Sequence, residues 1–278
     1  MDKVLITGSN GFVGLSLIKK LNKEFEVIEF TRKNSLEEIE SIQPEYIIHC
    51  AAEIYKESLM LESNVILTYK LLEICKSLKS LKHFIYIGSS SEYGRKVSPM
   101  SELDILEPDS IYEGTKACGS ILTRIYGKTY KFLTSVVRPF SLYGPNEQER
   151  KFIPKLYSLF MNDSKVNIKN GVHDWIHIDD FTDGVKLVML KNKNSGEIFN
   201  FGTSIQSTNV EVFNIMTELL NKTIEYDLVE DINGPAGIDS NCWIADITKV
   251  TDVFDWTPKY TLKQGMQNYI NYKKNGNT

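Results

Sequence analysis

The chain has 278 residues, 32 of them Lys or Arg and 36 Asp or Glu, so its formal charge is −4. At 42% hydrophobic and 24% charged it is ordinary globular material, long enough to bury about three quarters of its unfolded surface. The mildly acidic balance excludes a nucleic-acid binder held by phosphate contacts, and no apolar run reaches the roughly 18–20 residues that span a bilayer.

Short apolar runs alternate with helical patterns over the first 145 residues. Strands are expected at residues 4–7, 26–30, 46–50, 84–87 and 133–137. Between them, Val13, Leu17, Ile18 and Leu21 share one helical face, a short helical pattern surrounds 36–42, and Leu67, Leu71, Cys75 and Leu78 mark a helix over 64–78. A further helix covers 112–128. Such alternation implies right-handed β-α-β crossovers and a parallel sheet covered on both faces. The fold class is therefore α/β: a Rossmann-type doubly wound parallel sheet with a smaller α/β substrate-binding lobe. The expected division is 1–148 and 149–278, the first part also receiving a strand from about 171–203. In the second part a helix at 153–161 and strands near 166–168 and 175–178 stand out, and the polar tail from 273 to 278 is expected to fray. The chain enters a strand at once, leaving no room for a signal peptide. Cys50, Cys75, Cys118 and Cys242 form no C-x-x-C pair, so a soluble cytoplasmic protein is expected.

The first strand ends in Thr7-Gly8-Ser9-Asn10-Gly11-Phe12-Val13-Gly14 and runs straight into a helix. Gly8 allows the tight turn, Gly11 lets a pyrophosphate approach the backbone, and Gly14 permits close helix–strand packing. The helix start offers free N–H groups to phosphate. The G-x-x-G-x-x-G spacing with Phe12 and Val13 resembles the extended short-chain dehydrogenase/reductase superfamily, and more narrowly the NAD-dependent epimerases and dehydratases of nucleotide sugars. Beyond the second strand, Thr31 takes the place of the NAD-selecting carboxylate and Arg32 would lie beside a 2′-phosphate, so NADP is the expected cofactor. Glu29 argues for NAD if the register slips.

Tyr112 and Lys116 stand at i and i+4 on a helix, where an ammonium would lower the phenol's pKa and make Tyr112 a proton donor and acceptor. Counting back from Tyr93-Gly94, the resemblance puts the catalytic hydroxyl at Ser89, with Ser90 next in line if the turn is displaced. Dehydratases of the family carry Asp-Glu directly after the catalytic hydroxyl; here Ser90 and Ser91 stand there, which argues against dehydration. Decarboxylases are disfavoured by Ser91 likewise. His49-Cys50-Ala51-Ala52, Asn64, the run from Arg138 to Pro145, that from His173 to Asp180, and Asp255-Trp256-Thr257-Pro258 match further family segments. Ala51, Ala52 and Pro139 are thereby expected at the cofactor, and Ser90, Ser141, Arg150, Lys155 and His173 at the substrate.

Two arginines that clamp the substrate pyrophosphate in many relatives are absent. His173 replaces one, and Gly234-Pro235-Ala236, shortly before Asp239, stands where the other belongs. Either Arg150, Lys151, Lys155 and His173 form another clamp or the substrate is not a nucleotide diphosphate sugar. His173 and His177 do not converge on a strand, so no metal is expected, and the three tryptophans read as packing. The leading expectation is NADP(H)-dependent reduction of a 4-keto nucleotide sugar. The alternatives are an epimerase with tightly held NAD and a non-catalytic dinucleotide sensor. The resemblance also implies a homodimer through the helices at 64–78 and 112–128.

Overall fold

The computed structural model describes residues 1–130, 132–229 and 242–276. In chain order, β1 (Lys3–Thr7) leads through α1 (Phe12–Leu21) to β2 (Glu26–Phe30), and α2 (Glu38–Ile42) leads on to β3 (Tyr46–His49). Val4, Leu5 and Ile6 are wholly buried, as an uninterrupted apolar run requires of a strand covered on both faces. Next, α3 (Glu57–Met60) passes through a π-helical turn, Leu61–Ile66, into α4 (Leu67–Cys75), followed by β4 (His83–Ile87). This helix begins seven residues before the start read at 64, because the apolar period is broken in the π turn.

After β4 come α5 (Ile111–Thr129), β5 (Leu133–Pro139), β6 (Ser141–Tyr143), α6 (Phe152–Met161), β7 (Val166–Lys169) and β8 (Val172–His177). Then α7 (Ile178–Lys191) leads to β9 (Glu197–Phe201), β10 (Gln206–Thr208), α8 (Asn209–Leu220) and β11 (Tyr226–Val229). The described chain closes with α9 (Thr248–Phe254) and α10 (Leu262–Lys274). Of the tail from 273 to 278 expected to fray, residues 277 and 278 lie outside the described residues. Helix α10 runs through Lys274, tied down where Tyr272 bonds Asn146 at 2.7 Å and Lys273 bonds Glu149 at 2.8 Å.

Six parallel strands form the main sheet in the order β2-β1-β3-β4-β5-β9. One face carries a core of Leu17, Leu21, Phe181, Val185 and Phe201, the other a core of Leu71, Leu72, Phe84 and Tyr126. The smaller sheets, β10-β8-β6 and β11-β7, pack with α6, α8 and α10 around Phe160, Phe213 and Tyr269. The chain runs outward from β1 to β2 and then crosses back to β3 on the other side of β1, so the direction of the connections reverses there. That switch point opens a crevice at the C-terminal ends of the strands. Among the described residues no helix is long and apolar enough to cross a membrane.

Candidate active site

The crevice is a cleft of about 970 Å³ that runs from the β1–α1 turn to the second lobe. Gly8 sits at φ +64°, and a Cβ there would come within 2.7 Å of the Ala51 backbone. At Gly14 it would come within 2.4 Å of the Gly8 carbonyl oxygen. Gly11 differs, since its added Cβ would meet only that same oxygen, at 3.2 Å, and otherwise face the cleft. Gly11 is the N-cap of α1 and has no side-chain cap, which leaves the first N–H groups of the helix available to an anion. Phe12, Val13, Ala52 and Pro139 line the same cleft, and Ala51 closes against Gly8. A bare cradle of this shape fits a dinucleotide pyrophosphate.

Strand β4 and helix α5 bring the proposed catalytic groups to the middle of the cleft. Ser89 caps the 3-10 turn Ser90–Tyr93, taking the Ser91 N–H at 3.2 Å and sharing a 2.7 Å hydroxyl contact with Ser91. The Tyr112 phenol lies near enough to Ser89 for that hydroxyl to favour its ionised form, and one helical turn from Lys116. Buried Lys116 donates from Nζ to the Ile87 carbonyl at 2.6 Å and lies 4.3 Å from the centre of the Tyr86 ring.

The expected acidification of the phenol is therefore not built into the protein alone. Desolvation pushes Tyr112 up to about 12, the nearby Ser89 hydroxyl only partly opposing it, and burial brings Lys116 down to about 8. Asn64, held in the π turn, donates to the Thr115 hydroxyl at 3.0 Å and to the Glu53 carbonyl at 2.9 Å. It thus joins the loop after β3 to the helix of Tyr112.

The end of β2 departs from the reading of its residues. Pairing of Ile6 with Glu29 and of Thr7 with Phe30 fixes the register, so Glu29 lies inside the strand and the argument for NAD through it falls. Thr31 spends its hydroxyl within the turn, on Asn34 and the Lys33 N–H, both at 3.3 Å. Arg32 is exposed and reaches Glu53, Nη2 to Oε2 3.4 Å. Neither Thr31 nor Arg32 is part of the cleft lining.

At the far end the lining includes Ser90, Ser141, Arg150, Lys155 and His173. His173 cannot serve as the cationic clamp: burial holds it down to about 4, so the ring is neutral near pH 7, with Nδ1 3.1 Å from the Ser141 hydroxyl. The Arg150 guanidinium lies 3.0 Å from the centre of the Tyr55 ring, and Tyr55 donates to Gln148 at 2.7 Å. His177 is directed elsewhere, against Tyr260 with ring centres 4.1 Å apart. Residues 234–236 and Asp239 lie outside the described residues.

Sequence reasoning passed over several groups. Glu92 is fully buried, accepts the Ser89 N–H at 2.8 Å, and pairs with buried Arg138 at 2.9 Å. The spacing Ser89-x-x-Glu92 is a capping-box signature and could have shown the first contact. Trp175 and Trp243 are core residues, as read, and also line the cleft. Glu147, in the loop after Pro145, is a buried carboxyl pushed up to about 8 by desolvation. No local pattern announces it.

The chain is 27% identical over 265 positions to a dTDP-D-glucose 4,6-dehydratase of Dictyostelium discoideum, covering 76% of this chain but only 61% of that relative's length. It is 24% identical to the dTDP-glucose 4,6-dehydratase of Haemophilus influenzae, with 98% of each chain covered. Among solved structures, a UDP-glucuronic acid 4-epimerase from Bacillus cereus, in complex with UDP-glucuronic acid and NAD, superposes with a TM-score of 0.89 at 23% identity over 98% of this chain and 99% of that one. A dTDP-glucose 4,6-dehydratase from Bacillus anthracis in complex with NAD gives 0.86 at 26% identity, over 99% and 97%. The model of the NAD dependent epimerase/dehydratase family matches residues 4–202, so the chain belongs to that family and is an enzyme of the extended short-chain dehydrogenase/reductase type.

Proposed function

We propose that the protein is an NADP(H)-dependent reductase of a 4-keto nucleotide sugar. What carries the reading is one cleft in which Ser89, Tyr112 and Lys116 meet the bare glycine cradle, while Ser90 and Ser91 supply no second acid–base pair. The nicotinamide, when bound, supplies the hydride for the carbonyl carbon. Tyr112 gives its phenolic proton to the carbonyl oxygen, which becomes the new hydroxyl, while Ser89 holds that oxygen by a hydrogen bond. Lys116 steadies the phenolate that remains. A phenol raised to about 12 keeps its proton across the neutral range, which suits a donor. Arg32 is the cation available to a 2′-phosphate at the end of β2. Arg150 and Lys155, with neutral His173 and Ser141, take the sugar nucleotide in the second lobe, and the dinucleotide takes 1–148 with the strand from 197–201.

A second reading, an epimerase with retained NAD, is supported by the structures of a UDP-glucuronic acid 4-epimerase in complex with NAD among the structural relatives. The homodimer face is inferred on α4 and α5, where Tyr69, Ile121 and Ile125 are exposed. Four free cysteines accord with a reducing cytoplasm. The test is native mass spectrometry of freshly purified protein, followed by NADPH consumption against a panel of 4-keto nucleotide sugars. Empty protein that oxidises NADPH with one of them supports the reductase. Stoichiometric retained NAD, with inversion of a sugar carbon and no added reductant, replaces it by the epimerase.

A further inference from the structure

An NAD site of this architecture places a carboxylate at the end of the second strand, on the adenosine ribose hydroxyls. Here that position is empty of carboxylates: Glu29 is paired inside β2, and the Thr31 hydroxyl is used by its own turn. We propose that the missing carboxylate comes from the loop after β3 instead, as Glu53, and that Glu53 and Arg32 together set the choice between NAD and NADP. The inference rests on the dinucleotide-binding reading and refines it.

Three observations carry it. The sheet order puts the end of β1, and so the glycine turn, between the ends of β2 and β3, and the 3.4 Å Arg32–Glu53 pair therefore spans that turn. Glu53 is fixed, whereas Arg32 is not. Its Oε1 accepts the N–H groups of Ile54, Tyr55 and Lys56 at 3.1–3.3 Å, and Asn64 holds its backbone on both sides. The Glu53 side chain is 12% exposed against 77% for that of Arg32. Oε2 faces Arg32. A fixed carboxylate oxygen is a good acceptor for a 2′-hydroxyl and a bad neighbour for a 2′-phosphate, which bears close to two negative charges. Arg32, swinging on an exposed stem, can stay on Glu53 or turn to the phosphate. Glu53 thus favours NAD and competes with NADP for Arg32.

The experiment titrates the whole protein with NADH and with NADPH by calorimetry, at low salt because exposed charges are screened. The Glu53→Gln variant keeps an acceptor oxygen for the three N–H groups. Its expected effect is of opposite sign on the two ligands: NADPH tightens and NADH weakens, each about fivefold, the scale of a partly exposed ion pair. Arg32→Ala weakens NADPH about tenfold and leaves NADH within twofold, and it tests the same idea should Glu53→Gln fail to fold. Both constants moving together by one factor in Glu53→Gln would mean a purely structural role, and no change beyond twofold in either variant would equally overturn the proposal. Wild-type protein that binds neither dinucleotide would instead overturn the cofactor reading beneath it.

Discussion

Removing the Glu92 carboxylate should be among the most damaging single changes this fold can suffer. Glu92 is wholly buried and Arg138 is 1% exposed, so neither charge reaches water. In Glu92→Ala the Arg138 Nε loses its 2.9 Å acceptor, while Nη1 has no partner among the described residues, and the Ser89 N–H loses its 2.8 Å acceptor. Leaving one member of a buried pair uncompensated costs about 3–5 kcal/mol, and the freed N–H adds about 1 kcal/mol or more. For a chain of this size that lowers the melting midpoint by about 10 °C. The assay is urea unfolding at pH 7 with wild type, Glu92→Ala and the apolar double variant Glu92→Leu/Arg138→Met, since apolar replacement of a whole buried pair is often neutral. The double variant should recover more than half of the loss. A Glu92→Ala cost below about 1 kcal/mol, or a double variant less stable than the single, would refute the account of this pair.

Tyr112→Phe should keep the fold, its melting midpoint moving by only about 2 °C, and lower turnover about 10²–10⁴-fold, as loss of a general acid does; turnover within tenfold of wild type would remove Tyr112 from the chemistry. Lys116 gives a pH signature. Its folded pKa, about 8, lies below the unfolded value, so the unfolded chain binds more protons between about pH 8 and 10.5, and stability rises with pH through that window. Measured from pH 7.5 to 9.5, wild type should gain on the order of 2 kcal/mol relative to Lys116→Met, and parallel curves would show that Lys116 is not desolvated. The glycines separate stability from binding. Gly14→Ala should cost about 1–3 kcal/mol, because the new Cβ would stand 2.4 Å from the Gly8 oxygen. Gly11→Ala should change stability by less than about 1 kcal/mol and weaken dinucleotide binding in calorimetry at least tenfold, since its Cβ projects into the cradle; the reverse pattern would contradict the assignment of the two positions.

Much of the sheet and its central chemistry is local information. Buried parallel strands are continuous apolar runs, so β1 and β3 could be read within a residue or two, and the turn from Gly8 to Gly14 reports its own backbone needs. Tyr112 and Lys116 share a helical face by spacing alone, and it is the family resemblance that singles out Ser89, counted back from Tyr93-Gly94. Burial and partnership are not local. The same ammonium expected to acidify Tyr112 turns to the Ile87 carbonyl, and desolvation, which depends on every layer packed around the site, raises the phenol instead. His173 reads as a possible cation until its burial makes it neutral. Arg32 reads as a free phosphate ligand until the order of three strands brings it to Glu53, 21 residues away along the chain. Sequence alone determined which groups this protein owns and which lie one turn apart on the same helix. Only the tertiary structure decided which of them are charged and which face each other, because desolvation and ion pairing are set by neighbours that the chain brings together from afar.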